Sequence, residues 1–128
     1  QMLTSFHQVI KNPILSDTGY LDHLELAKHL QENSIPFIIL DAKEILLDPE
    51  ASLKELCKGA KIPFDSDMLY WEPGNRKEDG VWAEHWYASI HESTGFKPYK
   101  PKTEPFPEEL TALLKQCEPM YEQLLSMR

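Results

Sequence analysis

The chain has 128 residues and 41% apolar content, enough for one hydrophobic core of single-domain size. Thirteen basic against twenty-one acidic residues give a formal net charge of −8. This acidic balance argues against nonspecific nucleic-acid binding, which requires a basic face. It leaves room for one phosphate-sized anion site, because such a site needs only a few donors at short range.

No run of about 18 apolar residues and no signal-like segment occurs, so we expect a cytoplasmic protein without a membrane partner. Cys57 and Cys117 each lie in an apolar helical pattern. Two buried free thiols in a reducing compartment are favoured, and a disulfide is the alternative.

The first residues, QMLTSFHQVI, lack an initiator methionine and enter an apolar, helix-compatible run directly. Natural domains usually start with polar, frayed residues. Two interpretations stay open. Residues 1–128 are one incomplete domain of a longer chain, or a natural precursor is processed before residue 1.

Apolar residues at helical spacing predict four main helices, near residues 2–11, 20–32, 51–59 and 107–125. Asp48 followed by Pro49 is a typical N-cap and first turn for the third of them. Asp65 can cap a further short helix in DSDMLYW. Pro119 should kink the last helix or remove one of its hydrogen bonds.

The segment FIILDA, residues 37–42, is predicted to be the one main buried strand. Its continuous apolar run is typical of a strand covered on both faces in a parallel sheet. No second run of this quality exists, so its partner strands must be weak or lie outside these residues. We therefore expect an α/β chain that is mostly helical and contains no complete parallel sheet. The bare strand edges should pair with another copy, as a homo-oligomer, or be covered by a loop.

Residues 74–96, GNRKEDGVWAEHWYASIHESTGF, contain Arg76, the only arginine before the last residue. Arg76 and Lys77 stand between Gly74 and Gly80. Glycines let a backbone approach a ligand closely, and arginine offers a planar fork to phosphate oxygens. One hypothesis is an anion clamp. The other is a solvated surface turn, in which Glu78 and Asp79 balance the charge.

The aromatic residues around this loop predict a rigid support for it. Trp71, Trp82 and Trp86 should be largely buried and should order the loop that carries Arg76. His85 and His91 are six positions apart, with no cysteine or carboxylate at ligand spacing, so no metal site is predicted. No residue is singled out as catalytic.

From Ser5 to Tyr99 the order of features resembles the C-terminal half of the P-loop sulfotransferase-like proteins. The similarity is to the small bacterial and plant variety, some of whose members are labelled branched-chain-aminotransferase-like. The matching stretches are DTGY, LDHLELAKHL, FIILDAKEILLDPEASLKELCKGAKIPFDSDMLYW and DGVWAEHWYASIHESTGF. The resemblance implies the C-terminal part of a P-loop NTPase-like sulfotransferase fold, in which helices flank a parallel sheet.

In that family the donor is 3′-phosphoadenosine 5′-phosphosulfate, and a sulfuryl group passes to a small-molecule acceptor. The resemblance implies that Ser5, in LTSF, matches a serine that holds the 3′-phosphate. Arg76, Lys77, Gly80 and Trp82 resemble the later RKGxxGDW-like loop, which holds the same phosphate. These residues would bind and orient the donor.

The chain departs from the family loop at three places. Glu78 stands where the family has glycine, Gly80 comes one residue early, and Val81 replaces an aspartate. The family's phosphate loop and its base region would precede Gln1. The resemblance therefore implies part of a donor site, and no catalysis by these residues alone.

A second function class stays open beside the transferase. The chain could be a non-catalytic helical interaction module that grips a protein partner through its aromatic loop, residues 81–96. Tryptophan and tyrosine dominate the energetics of such contacts.

Overall fold

The computed structural model describes residues 2–81, 83 and 87–128. Two compact units divide the chain, Gln1–Ile39 with Lys100–Arg128 as the first and Leu40–Tyr99 as the second. Six α-helices have both ends within the described ranges: α1 (Met2–Phe6), α2 (Tyr20–Glu32), α3 (Ala42–Leu47), α4 (Pro49–Ala60), α5 (Ala88–His91) and α6 (Thr111–Ser126). The expectation that residues 1–128 are one incomplete domain stays a prediction.

The first unit is held together by the packing of α2 against α6. Leu24 and Ala27 are buried on α2, three positions apart on one helical face. A second buried cluster joins α1 to α6 and consists of Leu3, Leu110, Leu113 and Cys117. Cys117 and Cys57 are both buried and free, as predicted.

The predicted first helix is shorter in the structure than in the sequence pattern. α1 ends at Phe6, and the backbone continues to position 12 in turns. His7 and Ile10 still donate helix-like bonds to Leu3 and Phe6, both at 2.9 Å. Asn12, at φ 54°, then takes the left-handed conformation that ends a helical path before Pro13.

Two helices of the second unit, α3 and α4, begin at aspartates that cap them. Asp48 accepts a hydrogen bond from the Ala51 N–H at 3.0 Å, and Pro49 opens α4. Asp41 caps α3 in the same way, accepting from the Lys43 N–H at 2.9 Å. Because a cap satisfies N–H groups only two or three residues away, its signal is readable locally.

The predicted strand at 37–42 is not formed. Residues 37–41 have no regular secondary structure, Ala42 begins α3, and no strand occurs among the residues that the structure describes. The only sheet-like contact within those residues is an isolated antiparallel bridge between Tyr70 and Gly95. The physical reason is that an apolar run becomes a strand only when a neighbour supplies ladder hydrogen bonds. The P-loop α/β architecture therefore stays a prediction.

None of the helices in the described part of the chain has the length and apolar character needed to cross a membrane.

Candidate anion-binding site

The loop that carries Arg76 has a defined backbone. Lys77–Asp79 form one turn of 3₁₀ helix, with Arg76 as the preceding extended residue. Gly80 follows at φ 70° and ψ −172°, a conformation that is essentially restricted to glycine. The chain therefore leaves the turn through a glycine that other residues could replace only with strain.

A single carboxylate oxygen fixes this turn. Asp79 Oδ2 accepts a hydrogen bond from the Arg76 backbone N–H at 2.9 Å and another from His91 Nε2 at 2.8 Å. The side chains of Asp79 and His91 are 21% and 15% exposed, so this contact is largely shielded from water. The pKa of Asp79 lies below its ordinary value, first because of the Arg76 backbone hydrogen bond and next because of the His91 hydrogen bond.

His91 holds the loop at a second point. Its carbonyl oxygen accepts the Gly74 N–H at 2.7 Å, while its ring binds Asp79. Both ends of the segment 74–79 are therefore attached to the last residue of α5. This double attachment restrains the backbone on either side of Arg76.

Trp71 and Ser93 connect the neighbouring chain segments. The indole Nε1 of Trp71 donates to Ser93 Oγ at 3.0 Å, and Ser93 Oγ donates to the Ile90 carbonyl at 2.6 Å. The ring of Trp71 also meets Phe96 edge-on, with centroids 5.3 Å apart. Trp71 is half-buried, where the sequence predicted a largely buried residue.

The other two tryptophans predicted to support the loop, Trp82 and Trp86, lie outside the described residues. Their burial stays a prediction, as does the assignment of Trp82 to the anion site. His85 is likewise outside the described residues. Within the part of the chain that is described, no three His, Cys, Asp or Glu side chains are grouped to hold a metal ion.

The side chains of Arg76 and Lys77 are exposed, and within residues 2–81, 83 and 87–128 neither forms an ion pair with a carboxylate. The sequence alternative expected Glu78 and Asp79 to balance them. The acceptor oxygen of Asp79 is instead bound to a backbone N–H and to His91. The loop thus presents two cations whose donors face solvent.

Ser5 occupies a different unit from this loop. It lies on α1 in the first unit with its side chain exposed, and its Oγ accepts a hydrogen bond from Lys102 Nζ at 2.9 Å. Gly80 and Arg76 belong to the second unit. Convergence of Ser5 with Arg76 on one anion therefore remains a prediction.

Sequence reasoning did not predict the contacts made by three residues, Asp79, His91 and Lys102. Asp79 carried a readable signal, since an aspartate three positions after Arg76 has the spacing of a local cap. His91 and Lys102 carried none, because their partners are 12 and 97 positions away.

The family model of a sulfotransferase domain matches residues 22–127. This range contains the whole Arg76 loop and begins after Ser5. The match confirms the family resemblance drawn from the sequence.

Two curated relatives are similar to nearly the whole chain. Branched-chain-amino-acid aminotransferase-like protein 2 of Arabidopsis thaliana is 38% identical over 118 residues, which are 92% of this chain and 20% of that protein. Branched-chain-amino-acid aminotransferase-like protein 1 of the same plant is 38% identical over 125 residues, or 98% of this chain and 22% of that protein. No solved structure matches. The chain thus spans about a fifth of the length of the curated relatives it matches.

Proposed function

Because this chain belongs to the sulfotransferase domain family, we propose that it takes part in sulfuryl transfer from 3′-phosphoadenosine 5′-phosphosulfate to a small-molecule acceptor. Its contribution is part of the site for the 3′-phosphate of the donor. Arg76 and Lys77 bind that phosphate, Gly80 lets the backbone approach it, and Trp82 supports the loop. Ser5 adds a hydroxyl donor.

The observation that carries this proposal is the restrained loop with its two cations unpaired among the described residues. A phosphate dianion must exchange its hydration shell for several charge-assisted hydrogen bonds, each worth about 1.5–3 kcal/mol. Arginine supplies two of these in one plane. Since Asp79 fixes the backbone at Arg76, less conformational entropy is lost when the phosphate binds.

The role of these residues is binding and orientation. In the transfer, a nucleophilic atom of the acceptor bonds to sulfur and loses its proton to a base, while the bond from sulfur to the bridging phosphate oxygen breaks. Adenosine 3′,5′-bisphosphate departs with the electron pair. Donors that hold the 3′-phosphate fix the nucleotide at a distance from that bond, so they raise the rate by positioning the reacting groups.

Calorimetric titration of the intact protein with adenosine 3′,5′-bisphosphate tests the proposal. Arg76→Ala should weaken binding by roughly 10- to 150-fold, the equivalent of one such charge-assisted contact. Lys58→Ala, which removes an exposed cation from α4 of the same unit, should leave the affinity unchanged.

Two results would contradict the proposal. Equal affinity of Arg76→Ala and the unchanged protein would remove the loop from the nucleotide site. No binding at all by the intact protein would favour the interaction module that uses residues 81–96.

A further inference from the structure

Lys102, which is far from α1 in the sequence, contacts two hydroxyl groups of that helix. Lys102 Nζ donates to Thr4 Oγ1 at 2.7 Å and to Ser5 Oγ at 2.9 Å. All three residues belong to one compact unit, although 97 positions separate Lys102 from Ser5. The long side chain of Lys102 thus ends at the hydroxyl already assigned to the 3′-phosphate.

The charge of Lys102 has no counter-ion in the described part of the chain. Elsewhere a lysine pairs with a carboxylate, as Lys54 does with Glu50 at 2.6 Å. The carboxylate bound next to α1, that of Glu109, contacts His7 at 3.2 Å and not Lys102. In a chain of net charge −8, an ammonium held by two neutral hydroxyls is a local positive centre.

This contact also leaves hydrogen-bond donors of Lys102 and Ser5 unused in the part of the chain that the structure describes. An ammonium group has three N–H donors, and the two hydroxyls accept two of them. Ser5 Oγ acts as acceptor, so its own O–H points elsewhere, and no acceptor for that proton occurs among the described residues. One N–H of Lys102 and the O–H of Ser5 can therefore converge on a single anionic oxygen. Such a contact is charge-assisted and correspondingly strong.

We propose that Lys102 and Ser5 together form a phosphate subsite within the first unit, which takes the 3′-phosphate of the sulfuryl donor. This inference rests on the proposed function for the identity of the phosphate. It adds a cation on the Ser5 side, where neither the sequence pattern nor the family resemblance placed one.

Calorimetry on the intact protein tests the assignment with three probes, adenosine 3′,5′-bisphosphate, adenosine 5′-monophosphate and inorganic phosphate. Lys102→Gln should weaken the bisphosphate by roughly tenfold, the loss of one charge-assisted contact. The same variant should leave the monophosphate unaffected, because that nucleotide has no 3′-phosphate. Lys102→Arg should keep most of the affinity, since it retains the charge.

The matched control is Lys28→Gln, an exposed lysine on α2 of the same unit. If Lys102→Gln and Lys28→Gln bind the bisphosphate equally well while Arg76→Ala loses affinity, this inference fails and the proposed function stands. If Lys102→Gln weakened the binding of inorganic phosphate alone, the assignment of the subsite to the nucleotide would also be overturned. If the unchanged protein binds no bisphosphate, the proposed function fails and this inference falls with it.

A purely structural role for Lys102 makes a different prediction. The contact would then only tie residue 102 to α1, so Lys102→Gln would lower the melting temperature. The ratio of bisphosphate to monophosphate affinity would stay constant, and that constancy would overturn the proposal.

Discussion

Asp79 and His91 meet through one oxygen, Oδ2, which accepts from His91 Nε2 at 2.8 Å and from the Arg76 N–H at 2.9 Å. This carboxylate fixes the backbone at Arg76, and its charge also attracts the Arg76 guanidinium, which is one of the lesser causes of the lowered Asp79 pKa. Asp79 therefore restrains the proposed anion site through a backbone hydrogen bond without forming a direct ion pair with Arg76.

We expect Asp79→Asn to weaken binding of adenosine 3′,5′-bisphosphate several-fold. The amide is a poorer acceptor than the carboxylate, so the loop loses part of its restraint and pays more entropy on binding. Glu78→Gln is the matched control, since it removes the same charge from the adjacent position. If only the loss of negative charge affected the affinity, both variants would bind adenosine 3′,5′-bisphosphate more tightly. Calorimetry would then show tighter binding for Asp79→Asn in place of the expected weaker binding.

The restraint that Asp79 places on the Arg76 loop should depend on pH. Because the folded-state pKa of Asp79 is depressed, the contribution of its carboxylate to stability is complete above the unfolded pKa of about 3.9. It is lost as pH falls through the lower folded value. An NMR titration should show the Arg76 amide resonance shifting in that acidic window. The same shift in Asp79→Asn would assign the transition to another group.

Gly80 should resist substitution. At φ 70° and ψ −172°, Gly80→Ala should lower the free energy of unfolding by about 1–3 kcal/mol. Gly59→Ala, in the last turn of α4, should raise it by up to about 1 kcal/mol. Urea denaturation measures both. A neutral Gly80→Ala would mean that the turn can adopt another backbone conformation.

Trp71→Phe should lower the free energy of unfolding by about 1 kcal/mol or more, because the hydrogen bond to Ser93 Oγ and part of the packing of the indole are lost while an aromatic ring is kept. Ser93 is only 8% exposed, so water replaces that donor poorly. Tyr70→Phe is the control, on a neighbouring side chain that is 73% exposed. Equal denaturation midpoints for the two variants would show that the indole hydrogen bond contributes nothing.

The sequence predicted features whose cause is local. Asp48 with Pro49 marked the start of α4, and Asp65 marked a short helical turn, which is formed by Ser66–Leu69. In each case the aspartate side chain binds an N–H two or three residues ahead. Such contacts need no information from the rest of the chain.

Features that need a distant partner could not be predicted in this way. The run at 37–42 has strand composition but no partner strand among the described residues. The ties of His91 to Asp79 and of Lys102 to Ser5 join residues far apart in the chain. Arg76 and Lys77 could be proposed as site residues because the family loop is itself a local pattern. His91, which restrains this loop from α5, could not be identified from such a pattern.

The two buried thiols have a practical consequence. Cys117 lies in the first unit and Cys57 in the second, each 3% exposed. An alkylating reagent reaches either sulfur only when its own unit opens, so the mass of each labelled peptide reports one local opening equilibrium. Burial raises the pKa of Cys117 and slows its intrinsic reaction. The denaturant dependence of the two labelling rates, rather than their absolute values, would therefore reveal whether the halves open together or separately.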